Sequence, residues 1–177
     1  MPGLGFVCVH GDTGRLSPEK MLAVLLGGSV GSRIGESMSQ EDTQWQFTLL
    51  TFSNELESVG DIIDKNLSDS IIKRAAELVI FSPAESEILR QVHEKVTKRL
   101  QVAIGLLSWR DNDSAKEFLA GKETFNDWCR LLEKEHFQRL KSRDPSTVGS
   151  SAYFLDILNS FRRINSHISS IGYAFEN

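Results

Sequence analysis

Apolar residues recur at intervals of three and four along most of the chain after Ser39, which is the spacing of amphipathic helices. Ser39 suits the N-cap of a first helix that extends to about Leu78. Its predicted apolar stripe consists of Phe52, Leu56, Val59, Ile63 and Leu67. Ser82-Pro-Ala-Glu85 combines an N-cap serine, a first-turn proline and a capping-box glutamate, so a second helix is predicted to begin there. Its predicted buried residues are Ile88, Val92, Val96, Ala103 and Leu107.

Two more helices are predicted in the second half of the chain. Asp111-Asn-Asp-Ser has N-cap chemistry and precedes a helix from Ala115 to about Lys141, with Phe118, Phe125, Trp128, Leu132 and Leu140 on its apolar side. After Asp144-Pro145, a fourth helix is predicted to run to about Tyr173, with Phe154, Leu158, Phe161, Ile164, Ile168 and Ile171 facing inward. Long helices joined by short loops predict an all-α fold, an antiparallel helical bundle.

The first 38 residues have a different character. They hold eight of the 13 glycines, and only a weak strand pattern over residues 5–10 followed by a turn. No Gly-Lys-Ser/Thr follows the glycines, so a phosphate-binding loop is not indicated. We therefore expect two regions: a poorly structured or atypical N-terminal segment, residues 1–38, and a helical bundle domain, residues 39–177.

Composition narrows the functional classes. The chain has 177 residues, 40% of them apolar, without a run near the roughly 20 apolar residues of a membrane-spanning helix. We therefore expect a soluble chain. Its net charge of −4 argues against nucleic acid as the main partner, since phosphate backbones require a basic surface. Cys8 and Cys129 match no zinc or redox spacing, which is typical of a reducing compartment.

The first helix carries a candidate site. Glu57, Asp61 and Asp64 are spaced i, i+4, i+7, so they should share one helix face beside the apolar stripe. Like charges at this spacing repel each other, and either solvent or a bound cation must offset the repulsion. Carboxylates at helical spacing suit hard cations such as magnesium, manganese or iron, whereas a solvated acidic face is the commoner outcome of such a pattern.

Two segments resemble a known family. Leu56-Glu57-Ser-Val-Gly-Asp61-Ile-Ile-Asp64 resembles the acidic signature of PhoU-type helical bundles. Together with Phe81-Ser-Pro-Ala and Phe161-Arg-Arg-Ile-Asn-Ser-His-Ile168, it is most similar to the PhoU-like C-terminal cytoplasmic domain of bacterial sodium/phosphate cotransporter-family proteins. The resemblance covers about residues 39–175. It implies tandem three-helix, spectrin-like units, of which the first is incomplete here.

The resemblance implies a metal site in one copy of the motif only. PhoU-like proteins carry the acidic motif once per bundle and bind metal clusters there. Glu57 and Asp61 match the first copy, whereas the second reads Arg162-x-x-x-Ser166, whose side chains cannot replace two carboxylate ligands. A second hypothesis is that Arg162, or Arg163 beside it, pairs with Glu57 or Asp61 and neutralises them directly.

The remaining polar residues give weaker indications. His93, His136 and His167 lie on different predicted helices without an assignable catalytic partner, and a surface position is the default interpretation. Asn165 falls within the apolar stripe of the fourth helix, which predicts a buried hydrogen-bonding residue that fixes helix register.

These observations predict a non-enzymatic regulatory or interaction domain associated with phosphate transport. Its partner would be a membrane transporter or signalling protein, and its location the cytoplasm, at the inner face of the membrane through that partner. A second copy of the chain could complete the bundle as a homo-oligomer. Two alternatives remain: a metal-dependent bundle with a catalytic or storage role, for which Glu133-Lys-Glu-His136 is an isolated pattern, and a purely structural helical adaptor.

Overall fold

The computed structural model describes residues 39–141 and 148–175, and every regular element within these ranges is helical. The α-helices are α1 (Gln40–Asp61), α2 (Asp69–Ala76), α3 (Pro83–Trp109), α4 (Asn112–Lys141), α5 (Ser151–Ile168) and α6 (Ser170–Tyr173). A π-helical segment, Ile62–Ser68, joins α1 directly to α2. The predicted all-α helical bundle is thus confirmed. The predictions for residues 1–38 and for Pro145 lie outside the described residues. None of the described helices combines the length and apolar character needed to cross a lipid bilayer.

The first predicted helix is one rod made of α1, the π-helical segment and α2. The Ser39 side chain accepts a hydrogen bond from the backbone N–H of Asp42 at 3.1 Å, which confirms it as the N-cap. In the π-helical segment backbone bonds run from i to i+5, so side chains leave the 3.6-residue period. Accordingly Ile62 is 2% exposed, whereas Ile63, predicted to face the core, is 48% exposed.

The predicted capping box begins α3. The Ser82 hydroxyl accepts from the Glu85 backbone N–H at 3.2 Å, and the Ser82 backbone N–H donates to the Glu85 carboxylate at 2.8 Å. Helix α3 ends at Arg110, whose φ of 50° closes the helix in the left-handed region. Only two residues separate α3 from α4, so the chain reverses tightly there.

Helix α5 is the centre of the bundle, because it packs against α1, the π-helical segment, α2, α3 and α4. All six apolar residues predicted to face inward on the fourth helix are buried. One face of α5 is polar and includes exposed Asn159, Arg163 and Ser166. The helix therefore supplies both the largest share of the core and the residues of the sites below.

Candidate functional site

The three predicted acidic ligands lie on the outer surface of the rod. Glu57, Asp61 and Asp64 are all exposed. Asp61 forms an i, i+4 ion pair with Lys65 at 2.8 Å, where both side chains are more than half exposed. Within residues 39–141 and 148–175, no three histidine, cysteine, aspartate or glutamate side chains are grouped so that they could hold a metal ion.

A π-helical segment begins directly after Asp61 and includes Asp64. Its backbone bonds span five residues, so the 3.6-residue period from which the shared face was predicted does not apply beyond Asp61. The Ser68 hydroxyl follows this geometry, because it donates to the carbonyl of Ile63 five residues earlier at 3.0 Å. All three acidic side chains are exposed to solvent, whichever face each one occupies.

The two predicted ion-pairing arginines have other neighbours. Arg162 forms an ion pair with Glu133 of α4 at 2.8 Å, a different carboxylate from Glu57 or Asp61, which the sequence suggested. Arg163 is exposed and donates to the side-chain carbonyl of Asn66 at 3.4 Å. The reason is the register of α5, which directs Arg162 towards α4 and Arg163 towards the π-helical segment.

Asn165 is fully buried and belongs to a polar network that links three helices. Its side-chain oxygen accepts a hydrogen bond from Arg99 Nε of α3. Arg99 Nη2 also donates to the carbonyl of Phe118 and to the hydroxyl of Ser169, both at 3.1 Å. Burial lowers the pKa of Arg99, and its neutral partners solvate the guanidinium in place of water. Gly121 leaves room for this guanidinium, since an added Cβ would lie 2.4 Å from Arg99 Nη1 and displace it.

A shallow pocket of about 190 Å³ opens on the polar side of α5. We call it the α4–α5 pocket, and its lining residues are Asn126, Asn159, Arg162, Arg163, Ser166 and His167. All but Asn126 come from α5, at the i, i+3, i+4, i+7 and i+8 positions that define one helix face. His167 Nδ1 is 2.6 Å from a carboxylate oxygen of Glu55 on α1, which fixes its ring at the edge of the pocket.

A second polar group lies within the bundle, with all but one of its four side chains buried. We call it the buried Glu85 cluster, and it consists of Glu85, His136, Ser150 and Ser151. Glu85, His136 and Ser150 are each 0% exposed. The Ser150 hydroxyl donates to both carboxylate oxygens of Glu85 at 2.9 Å, and His136 Nε2 is 2.8 Å from the Ser151 hydroxyl. The His136 ring stacks on Phe154, with 4.4 Å between centroids.

The cluster brings a serine, a histidine and a glutamate together, the residue types of a hydrolytic triad. The distance between the histidine and the glutamate, however, is too long for a triad. His136 Nδ1 lies 3.8 Å from Glu85 Oε1, which is longer than a hydrogen bond. The Glu85 carboxylate accepts its hydrogen bonds from Ser82 and Ser150 instead. Among the described residues, nothing donates to or accepts from His136 Nδ1. The arrangement is that of an internal link between the starts of α3 and α5 and the end of α4.

Burial shifts two pKa values near these groups. Burial lowers the pKa of His136 and Arg139 lowers it further, while Glu85 acts in the opposite direction, so the ring is held neutral. Burial also raises the pKa of the Cys129 thiol to about 12, with Arg162 partly opposing and Glu133 adding to the shift. Cys129 is 0% exposed and lies beneath the Arg162–Glu133 pair.

Sequence reasoning missed parts of both groups. His136 was interpreted as a surface histidine and is fully buried, so that interpretation is wrong; its partners come from positions 51 and 15 residues away. Asn126 and Asn159 were not singled out as site residues at all. One signal for the pocket is present in the sequence. Residues 157 to 175 contain no acidic residue, so the polar positions of α5 in this range carry arginine, histidine, asparagine and serine.

Comparison with known proteins gives a limited match. No family model and no solved structure matches the chain. It is 24% identical over 139 residues to the "Putative inorganic phosphate export protein YjbB" of Escherichia coli strain K12, a match covering 78% of this chain and 26% of that protein. The proteins of the same name from Shigella flexneri and Salmonella typhimurium show the same identity over the same length, covering 26% and 25% of those proteins. The chain thus spans about a quarter of the length of these curated relatives, and it is similar to that part of them.

Proposed function

We propose that this chain is a PhoU-like regulatory domain that acts in phosphate transport through contact with a membrane transporter or signalling protein. The observation that carries the proposal is the match of 78% of the chain to phosphate export proteins, over only a quarter of their length. A match of this form fits a module that works beside a larger transport machinery. The helical bundle is the architecture that the resemblance to PhoU-like domains implies.

A chimera tests this proposal. The portion of E. coli YjbB that matches this chain is replaced by the full chain, and release of radiolabelled phosphate is compared with intact YjbB and with YjbB lacking that portion. We expect the chimera to restore release that the deletion has altered. A chimera that reaches the membrane in normal amounts but behaves like the deletion would contradict the proposal.

The same proposal treats the domain as non-enzymatic. Supporting it, the serine, histidine and glutamate of the buried Glu85 cluster have no exposed base, and the cluster holds the ends of three helices together. The purified chain should show no labelling of Ser151 by a fluorophosphonate probe and no hydrolysis of p-nitrophenyl phosphate. Labelling that disappears in a Ser151→Ala variant would instead identify a hydrolase.

A further inference from the structure

We propose that the α4–α5 pocket binds inorganic phosphate, with Arg163 as its main cationic ligand. The inference rests on the proposed function for the choice of anion, and on the pocket itself for the site. The five α5 residues that line it include two arginines and a histidine, and none of the six lining residues is acidic. Guanidinium, amide and hydroxyl groups are the donors that bind phosphate oxygens.

Arg163 is the cation best placed to accept a new partner. Among residues 39–141 and 148–175, Arg162 forms an ion pair with Glu133 and His167 contacts the Glu55 carboxylate, but no ion pair includes Arg163. The Arg163 contact with Asn66, at 3.4 Å, is long and is made to a neutral oxygen. An anion in the pocket could therefore replace this contact without breaking an ion pair.

Two neighbouring carboxylates hold the other donors in place. Glu133 and Glu55 fix the side chains of Arg162 and His167 from outside the pocket, at 2.8 and 2.6 Å, and neither glutamate lines it. A bound anion would thus meet Arg163 as the ligand with free charge, and the amides of Asn126 and Asn159 and the hydroxyl of Ser166 as neutral donors. With one free cation and three neutral donors among the described residues that line it, the pocket should bind a small anion weakly and release it readily.

The size of the pocket favours a small ligand. Its volume of about 190 Å³ is below the roughly 300 Å³ at which pockets for drug-sized ligands begin. The site lies on the rigid central helix of the bundle, so its five α5 residues keep their relative positions without a ligand. Free phosphate fits these dimensions. Because the site is shallow and exposed, we expect a dissociation constant for phosphate of about 1 mM.

Calorimetric titration of the purified full chain with inorganic phosphate tests the proposal, at constant ionic strength and with sodium chloride as the comparison titrant. We expect saturable heat with phosphate and none with chloride. Arg163→Gln should weaken phosphate binding at least about tenfold, because it removes a charge-assisted hydrogen bond from the site. The matched control is Arg90→Gln, an exposed arginine of α3 that pairs with Glu87 and Glu94, and it should bind phosphate as the wild type does.

Three results would overturn the inference: no saturable phosphate heat, an equal response to chloride, or unchanged affinity in a folded Arg163→Gln variant. Thermal unfolding followed by circular dichroism establishes that both variants are folded. The outcome is separable from that of the chimera experiment. Restored phosphate release without direct phosphate binding would leave the regulatory role intact and remove only this site.

Discussion

The buried Glu85 cluster and the α4–α5 pocket both gather polar side chains from α4 and α5, but the first is almost wholly buried and the second is open to solvent. In the cluster, each carboxylate oxygen of Glu85 has a donor, and the three helix ends that it joins depend on one another. In the pocket, the hydrogen bond of Arg163 within residues 39–141 and 148–175 is a long contact with Asn66, and the remaining lining groups are partly or fully exposed. One set of polar residues therefore stabilises the fold, whereas the other is available to a ligand.

In this bundle, burial decides more than residue type whether a polar side chain stabilises the fold or is available to a ligand. A buried carboxylate must be fully hydrogen-bonded, since an unpaired charge in the core costs several kcal/mol. An exposed guanidinium is solvated by water, so it has no such desolvation cost and can exchange water for an anion. The comparison predicts large stability effects from substitutions in the cluster and small ones in the pocket.

Removing the Glu85 carboxylate should give the largest effect. Glu85→Ala deletes the capping-box acceptor and leaves the buried Ser150 hydroxyl without its partner, so we expect the free energy of unfolding to fall by about 3 kcal/mol. Urea denaturation followed by circular dichroism measures this. Glu87→Ala, an exposed glutamate on the same helix, is the matched control and should change stability little. Equal losses in the two variants would contradict the comparison.

Two serines of the same chain region sharpen the comparison. Ser150→Ala removes the hydroxyl that donates to the buried Glu85 carboxylate, and we expect it to cost about 1.5 to 2 kcal/mol of unfolding free energy. Ser166→Ala changes an exposed lining residue of the pocket and should stay within about 0.5 kcal/mol of wild type. If Ser166→Ala cost as much as Ser150→Ala, the pocket would have to be reinterpreted as structural.

The two regions should also differ in pH dependence. Burial lowers the pKa of His136 below that of the unfolded chain, so the unfolded state binds the proton more readily. The stability contributed by the neutral ring is therefore present above about pH 6.5 and is lost as the pH falls below it. Between pH 7.5 and 5, the urea midpoint of wild type should fall more steeply than that of His136→Gln. His93→Gln, on the exposed side of α3, serves as the control and should keep the wild-type slope.

A small effect is also expected from the ion pair beside the pocket. Glu133 and Arg162 are 28% and 29% exposed, so solvent screens their attraction, and Glu133→Gln should reduce the unfolding free energy by less than about 1 kcal/mol. The same urea experiment measures it. If Glu133→Gln reduced the unfolding free energy as much as Glu85→Ala does, the ion pair would be as important for stability as the buried cluster. The proposed difference between the two regions would then be wrong.

Local signals in the sequence were sufficient for the helices and insufficient for the sites. The capping box at Ser82, the N-cap at Ser39 and the stripe of α5 were predictable because each depends on residues within one helix. The burial of His136 and the partner of Arg162 depend on residues 15 to 51 positions distant, whose approach is set by packing. The sequence does not predict the π-helical segment either, because it has an ordinary helical period there, and Ile63 within that segment is exposed where the core was expected.

The position of Cys129 has a consequence for experiments on this molecule. Its thiol is fully covered and its raised pKa keeps it protonated, so alkylating reagents can reach a reactive thiolate only when the bundle opens. In a chain whose Cys8 is replaced by serine, the rate at which Cys129 is alkylated would measure how often the native state opens in the absence of denaturant. Alkylation of Cys129 would thus report local opening of the native bundle close to the Arg162–Glu133 pair.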